Sequence, residues 1–281
     1  MELQGSFSIS DRVNELAENI FEMEQARING ESEVELSTVK FATPLAILPL
    51  AVYANHYGLT INCTEDPNSD ACSYLDTIGF HGGVTNLPSN IKNYLPITKL
   101  YTFEGDNVLG AYEEEILSQG IQSSTYKDTI KFLTSELVAN VKEHAKTNRY
   151  WILAQYYQSS HTNTCEIVIA DNGIGYMRSY QGTEYEVKTD GEAIQNAFEG
   201  RSSKSARNKF DESELTERGE GIPTIGRIFI KGYGGKLIIM SGNSIMYYGR
   251  NKSKEIGLDY WLGSVVCINF NLKAMDIRPY L

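Results

Sequence analysis

Three polar residues suited to phosphate and metal chemistry recur at helical spacing in the middle of the chain. Glu136, Asn140 and His144 occupy positions i, i+4 and i+8, so one face of a helix would carry all three side chains. The apolar stripe beside them consists of Leu133, Leu137 and Val141. This stripe would seat the polar face at the edge of a core. Because a carboxylate polarises a water or hydroxyl and an amide oxygen is a hard ligand for Mg²⁺, the pattern indicates a phosphate–metal site. The alternative is a solvated edge of an amphipathic helix.

Two glycine-rich segments follow this helix. Residues 166–175 read Glu-Ile-Val-Ile-Ala-Asp-Asn-Gly-Ile-Gly, a short buried strand that runs into Asp171, Gly173 and Gly175. Residues 218–226 read Arg-Gly-Glu-Gly-Ile-Pro-Thr-Ile-Gly, a second turn that leads into an apolar run. Glycines permit positive φ and let the backbone approach a flat ligand closely. Taken alone, the first segment is also typical of a strand-end β-turn and the second of an ordinary helix entry.

The helix and the two glycine-rich segments, in this order, resemble the GHKL ATPases over roughly residues 110–275. This superfamily groups DNA gyrase, the large heat-shock chaperones, histidine kinases and MutL. The resemblance implies that Asp171 accepts a hydrogen bond from the adenine amino group, with Gly173 and Gly175 close to the nucleotide. It also implies that ATP and Mg²⁺ are bound and that Asn140 is the metal ligand. Glu136 would be the general base.

The same resemblance assigns further residues to the nucleotide. The turn at Gly219 and Gly221 would close on the β- and γ-phosphates, and residues 176–218 would form a mobile lid. Within that lid a basic segment supplies Lys204 as a phosphate contact; a plain solvated loop is the alternative. In the last strand Ser264 stands where the superfamily has threonine, so its hydroxyl is a candidate for reading the adenine edge.

Two side chains at the end of the helix have open roles. His144 is a candidate catalytic residue and, together with Glu143, a candidate for orienting the attacking water or holding the phosphate. Either residue can equally be structural.

The expected architecture is an α/β or α+β chain in two parts. Residues 106–281 would form a Bergerat-type ATP-binding sandwich, with one mixed, mostly antiparallel sheet and helices on one face. Residues 1–105 read strand–helix–strand–helix, and the segments 34–41 and 73–80 resemble a divergent STAS domain, the fold of anti-sigma-factor antagonists.

That second resemblance departs at one informative point. Antagonists carry a phosphorylatable serine where this chain has Pro44 and Leu45, with only Thr43 nearby. A docking or dimerisation role for the STAS-like part is therefore expected in place of a phosphorylation switch. A packing domain with no activity of its own is the alternative.

Composition narrows the class of protein. The chain has 281 residues, of which 41% are hydrophobic, so we expect it to fold. Its net charge of −11 disfavours a general attraction to nucleic acid or anionic membranes. The chain starts without a signal-peptide pattern, and its longest apolar run, 44–54, is too short to span a bilayer. The four cysteines lack a Cys-x-x-Cys pair. These features predict a cytoplasmic protein with free thiols.

The leading functional interpretation is an ATP hydrolase that acts as a nucleotide-driven switch on a protein partner, with a homodimer as a further option. The first alternative is a serine/threonine protein kinase of the anti-sigma-factor type, in which Glu136 activates a protein hydroxyl. The second is an ATP-sensing interaction module that does not hydrolyse ATP. A histidine kinase is disfavoured, since none of the four histidines lies in the expected His-Glu context.

Overall fold

The computed structural model describes residues 9–35, 43–62, 75–80, 94–102, 124–158, 163–201, 203, 221–272 and 277–280. The helices are α1 (Ile9–Ile28), α2 (Pro44–Tyr57), α3 (Ser124–Asn140), α4 (Gly175–Ser179), α5 (Asp190–Phe198) and α6 (Gly221–Ile225). π-Helical turns continue α3 over Val141–Ala145 and α6 over Gly226–Gly232, and a 3₁₀ turn covers Arg278–Tyr280. The strands are β1 (Glu33–Glu35), β2 (Thr60–Asn62), β3 (Tyr94–Tyr101), β4 (Arg149–Gln158), β5 (Asn163–Asp171), β6 (Lys236–Gly249) and β7 (Lys252–Asn271).

A five-stranded sheet forms the centre of the described chain. Its order is β3-β4-β5-β7-β6, and every neighbouring pair is antiparallel. β4 and β5 form one hairpin, and β6 and β7 form a second, longer one. The chain therefore has the expected α+β character, with a sheet that is antiparallel throughout its described strands.

Helices cover both faces of this sheet, because α1 and α2 of the N-terminal part add a second layer to the one that residues 106–281 supply. On the front face, Ile152, Ile167 and Ile239 belong to a core that also holds residues of α3, α5 and α6. On the back face, Leu153 and Val168, which follow Ile152 and Ile167 in sequence, share a second core with α1 and α2. Strands buried on both faces read as continuous apolar runs, and Trp-Ile-Leu-Ala in β4 and Ile-Val-Ile-Ala in β5 are such runs.

The N-terminal part contains the predicted strand–helix–strand unit. β1 and β2 pair in parallel, with Glu33 opposite Thr60, and α2 connects them. Thr43 caps α2, Pro44 stands in its first turn, and Gly58 ends it in the left-handed conformation at φ 69°. Local side-chain and backbone chemistry therefore defines both ends of this helix.

The packing does not separate at the predicted domain boundary near residue 105. β3 lies before that boundary, yet it pairs with β4 as the edge of the main sheet. The apolar face of α1, with Leu16 and Ile20 buried, packs into the back-face core. Residues on both sides of position 105 thus share one sheet and one core.

A buried ion pair joins the back layer to the sheet. Glu166 of β5 is fully buried and accepts from Arg12 at 2.8 Å, from the Leu45 backbone N–H at 3.0 Å and from Asn269 at 2.9 Å. One carboxylate therefore contacts α1, the first turn of α2 and β7. A carboxylate at a helix N-terminus is also favoured by the helix dipole.

Two smaller expectations concern the environment of the protein. Cys165 and Cys267 are buried free thiols, as predicted. Among the described helices, none combines the length and the apolar character needed to cross a membrane.

Candidate functional site

Glu136 and Asn140 lie on α3 directly opposite the second glycine-rich turn. A Cβ atom built on Gly221 would lie 2.5 Å from Oε2 of Glu136 and 3.9 Å from Nδ2 of Asn140. The backbone at the start of α6 therefore touches the two polar side chains of α3 with no side chain between them. The helix motif and the glycine motif, which are far apart in sequence, meet at one place.

The polar atoms at this meeting point are poorly satisfied within the protein. Nδ2 of Asn140 is buried and has no hydrogen-bond partner within the described part of the chain. Glu136 is half-buried, and burial, followed by the nearby charge of Glu143, raises its pKa. A buried polar atom without a partner is uncommon and calls for an explanation, of which an absent ligand is one.

Asp171 forms the second part of the site, at the end of β5. It is 2% exposed, and its two oxygens accept from the Gly173 backbone N–H at 2.8 Å and from the Ser264 hydroxyl at 2.5 Å. Burial raises the pKa of Asp171 to about 6, although the hydrogen bonds from Ser264 and Gly173 oppose this shift. Ser264 stands opposite Asp171 in the β5–β7 ladder, which is why their side chains meet.

The glycines around Asp171 occupy places where a side chain would not fit. At Gly173 a Cβ would lie 2.1 Å from the carbonyl oxygen of Ala145. Gly175 has a φ of +73°, and a Cβ there would lie 2.6 Å from the Ser241 hydroxyl. The loop after Asp171 thus packs directly against the end of the π-turn and against β6.

The end of α3 supports this loop. The π-helical turn ends at Ala145, whose carbonyl oxygen accepts from the Ile174 backbone N–H at 2.9 Å. Lys146 then adopts a left-handed conformation with φ 51°. π-Turns are rare and often occur at functional sites. This one lies where the end of α3 contacts the loop after Asp171.

Ser241 is a site residue that the sequence analysis missed. Its hydroxyl donates to the Gly263 carbonyl at 2.9 Å and accepts from the Tyr176 backbone N–H at 3.0 Å. It therefore connects the β6–β7 hairpin to the first turn of α4. The available signal was a single serine closing the apolar run Leu-Ile-Ile-Met.

A second missed contact comes from the back layer. Asn172, next to Asp171, lies with Nδ2 3.3 Å from Nδ1 of His56 in the last turn of α2. The Oδ1 atom of Asn172 accepts from the Thr147 hydroxyl at 2.7 Å. No local pattern in the sequence links positions 56 and 172, because the contact depends on α2 packing behind the sheet.

The remaining predicted residues are placed as follows. His144 does not lie against Gly221; its Nδ1 lies 2.9 Å from the Ser203 hydroxyl, and its Nε2 lies 3.8 Å from Glu143. Lys204 and Gly219 lie outside the described residues. The structure thus brings Glu136 and Asn140 to Gly221, and gathers Asp171, Gly173, Gly175 and Ser264 beside the end of α3.

Within the described ranges, no group of three or more His, Cys, Asp or Glu side chains is arranged to hold a metal ion. A Mg²⁺ ion usually takes one or two protein ligands and completes its shell with phosphate oxygens and water. The Glu136–Asn140 pair is compatible with that mode of binding.

Comparison of this chain with protein-family models, with curated proteins and with solved structures finds no match. The assignment of function therefore depends on the geometry of the site itself.

Proposed function

We propose that the protein binds Mg²⁺-ATP and hydrolyses it, with nucleotide binding acting as a conformational switch on a protein partner. The observation that carries the proposal is the contact of Gly221 with Glu136 and Asn140. It joins a backbone free of side chains, a carboxylate and an unsatisfied amide at one point. These groups together suit a phosphate, its metal ion and an attacking water.

The phosphate end of the nucleotide would lie against the first turn of α6. Backbone N–H groups at a helix start bind anions, and the missing side chain at Gly221 leaves the approach open. Asn140 would hold Mg²⁺ together with phosphate oxygens, and this ion would offset the charge of the transferring group. Nδ2 of Asn140, which is buried and has no hydrogen-bond partner among the described residues, would donate to a phosphate oxygen beside that ion.

The adenine end would lie at Asp171. Each carboxylate oxygen has two lone pairs, so the bonds from Gly173 and Ser264 leave capacity for the adenine amino group. The short bond from Ser264 also fixes the orientation of the carboxylate. Gly173 and Gly175 keep side chains away from the base in this proposal.

Glu136 is the residue proposed to activate water. Its half-buried position and raised pKa bring it closer to the range in which a carboxylate works well as a general base at neutral pH. These features distinguish it from the exposed carboxylates on the surface of the helices.

The test is nucleotide binding and turnover by the purified chain with Mg²⁺, compared with Glu136→Ala. We expect both proteins to bind ATP, and we expect turnover in the variant to fall by about 10²–10⁴-fold, the usual contribution of a general base. Glu18→Ala is the matched control, because Glu18 is an exposed carboxylate on α1. Loss of turnover in both variants, or in neither, would contradict the role given to Glu136.

A further inference from the structure

A serine hydroxyl lies against the histidine of the site helix. The Oγ atom of Ser203 is 2.9 Å from Nδ1 of His144, and Nε2 of the same ring is 3.8 Å from a carboxylate oxygen of Glu143. A neutral imidazole that accepts at Nδ1 carries its proton on Nε2, the nitrogen that faces Glu143 here. A hydroxyl within hydrogen-bond reach of an imidazole is the pair that activates a nucleophile, and the Glu143 carboxylate places negative charge beside the ring.

Both sides of this contact are held by other parts of the structure. Two residues before Ser203, the carbonyl oxygen of Arg201 accepts from the Tyr180 hydroxyl at 2.6 Å, and Arg201 Nη1 donates to Asn196 at 2.7 Å. On the helix side, the residue after His144 accepts the backbone hydrogen bond from Ile174 at 2.9 Å. The hydroxyl and the imidazole are therefore brought together by two anchored segments.

The contact lies close to the phosphate end of the proposed nucleotide site. His144 follows Asn140 by four residues, which is at most about 6 Å along the helix axis. Asn140 in turn faces Gly221. The His144 backbone is thus about one helical turn from Asn140, and its ring contacts the Ser203 hydroxyl.

We propose that Ser203 is an autophosphorylation site and that His144 is the base for the transfer. This inference rests on the proposed function, because ATP is the phosphoryl donor. The bond formed joins Ser203 Oγ to the γ-phosphorus, and the bond broken joins that phosphorus to the β–γ bridging oxygen, which leaves with ADP. The hydroxyl proton passes to Nδ1 of His144, and Glu143 offsets the charge of the resulting imidazolium.

Phosphate on Ser203 would alter the surrounding segment electrostatically. Residues 201–209 contain four basic residues, Arg201, Lys204, Arg207 and Lys209. A phosphoserine carries a charge of about −1.5 to −2 and forms strong hydrogen bonds with such side chains. The covalent phosphate would remain on Ser203 after ADP has dissociated.

The experiment incubates the full chain with Mg²⁺ and ATP labelled at the γ-phosphate, then measures label on the protein and maps it by fragmentation mass spectrometry. Nucleotide binding is measured in the same samples. Ser203→Ala should abolish labelling and leave nucleotide binding unchanged, and the neighbouring substitution Ser202→Ala should leave both unchanged. Ser203→Thr keeps a hydroxyl and should retain labelling as phosphothreonine.

His144→Ala should slow the initial labelling rate by about 100-fold or more, the contribution of a general base. Because both groups belong to one chain, the rate constant should not depend on protein concentration. Asp171→Asn should lose label, which excludes a co-purified kinase. Bound nucleotide with no label, label on another residue, or equal labelling of Ser203→Ala would overturn this inference alone. Absence of nucleotide binding would overturn it together with the proposed function.

Discussion

Asp171 is a carboxylic acid buried where water scarcely reaches it. Its environment raises the pKa to about 6, compared with an ordinary value of 3.8. The folded protein consequently binds a proton more tightly at this position than the unfolded chain does. An acid in this condition is costly for the fold once it ionises, which is typical of a residue kept for binding.

The pH dependence of stability should reveal this cost. Between the unfolded and folded pKa values the native state binds more protons, so the contribution of Asp171 to the free energy of unfolding falls as pH rises. We expect the free energy of unfolding of wild type, relative to that of Asp171→Asn, to fall by roughly 2–3 kcal/mol from pH 4 to pH 7. This range follows from about 1.4 kcal/mol per pKa unit. Urea unfolding of both proteins without nucleotide measures it.

The difference between the two proteins is the informative quantity, since the other titrating groups are common to both and cancel. Asp190→Asn serves as the control, because Asp190 is only partly buried. A constant difference between wild type and Asp171→Asn over this range would show that the carboxyl is not perturbed in the native state.

At the scale of single elements, the end of α3 and the loop after β5 form one unit. The π-turn delivers the Ala145 carbonyl oxygen to the Ile174 backbone N–H, and Gly173 passes beneath it. Because the Ala145 carbonyl oxygen is hydrogen-bonded and closely packed against the loop, there is no room for a side chain at Gly173. The position of Asp171 in the site depends on this close approach.

Gly173→Ala should therefore destabilise the protein. Its Cβ would meet the backbone oxygen of Ala145 at 2.1 Å, and the main chain cannot rotate away as a flexible side chain can. Overpacking of this kind costs about 1–3 kcal/mol, and more where backbone must shift. Chemical denaturation of wild type and Gly173→Ala measures this cost.

Gly257→Ala is the matched control for that substitution. Gly257 lies in β7, and a Cβ there would meet nothing within 4 Å. We expect its stability to stay within about 0.5 kcal/mol of wild type, as for most surface substitutions. Equal stability of the two alanine variants would mean that the loop and the π-turn are not in contact.

Glu166 binds the back layer as a whole to the sheet. Its buried carboxylate has partners on α1, α2 and β7. Removing one member of a buried ion pair leaves the other charge without compensation, which costs about 3–5 kcal/mol. We expect Glu166→Gln, which leaves Arg12 unpaired, to lose stability in this range by urea unfolding.

The control is an exposed ion pair of the same kind. Glu199 and Arg201 lie 2.8 Å apart, with 40% and 49% of their side chains exposed. Exposed pairs contribute about 0–1 kcal/mol, so Glu199→Gln should change stability little. If the two substitutions cost the same, Glu166 does not hold the layers together.

At the scale of the whole molecule, α1 and α2 cover an apolar sheet face that cannot remain in water. Trp151, Leu153, Val168 and Ile238 each have 2% or less of their surface exposed beneath these helices. A fragment of residues 106–281 would lose α1, α2 and the edge strand β3. We expect this fragment to aggregate or to lack a cooperative unfolding transition, although the sequence predicts it as a separate domain.

Solubility and thermal unfolding of this fragment, compared with residues 9–281, test the expectation. The longer chain keeps both layers and should unfold cooperatively. A 106–281 fragment that unfolds cooperatively and binds ATP would contradict this expectation and support the boundary predicted near residue 105.

Local chemistry in the sequence was enough for the individual elements. Pro44 and Gly58 mark the two ends of α2, the apolar runs mark β4 and β5, and helical spacing placed Glu136 and Asn140 on one helix. Each of these signals depends on residues within a few positions of one another. Such short-range preferences are readable without knowledge of the tertiary contacts.

The relations between elements needed the folded chain. The contacts of Gly221 with Glu136, of His56 with Asn172, and of Glu166 with Arg12 join residues between 85 and 154 positions apart. No local pattern encodes such pairs, because they arise when both faces of one sheet are buried at once. The apolar runs in the strands required two covered faces, and only packing of the whole molecule determined that α1 and α2 supply the second.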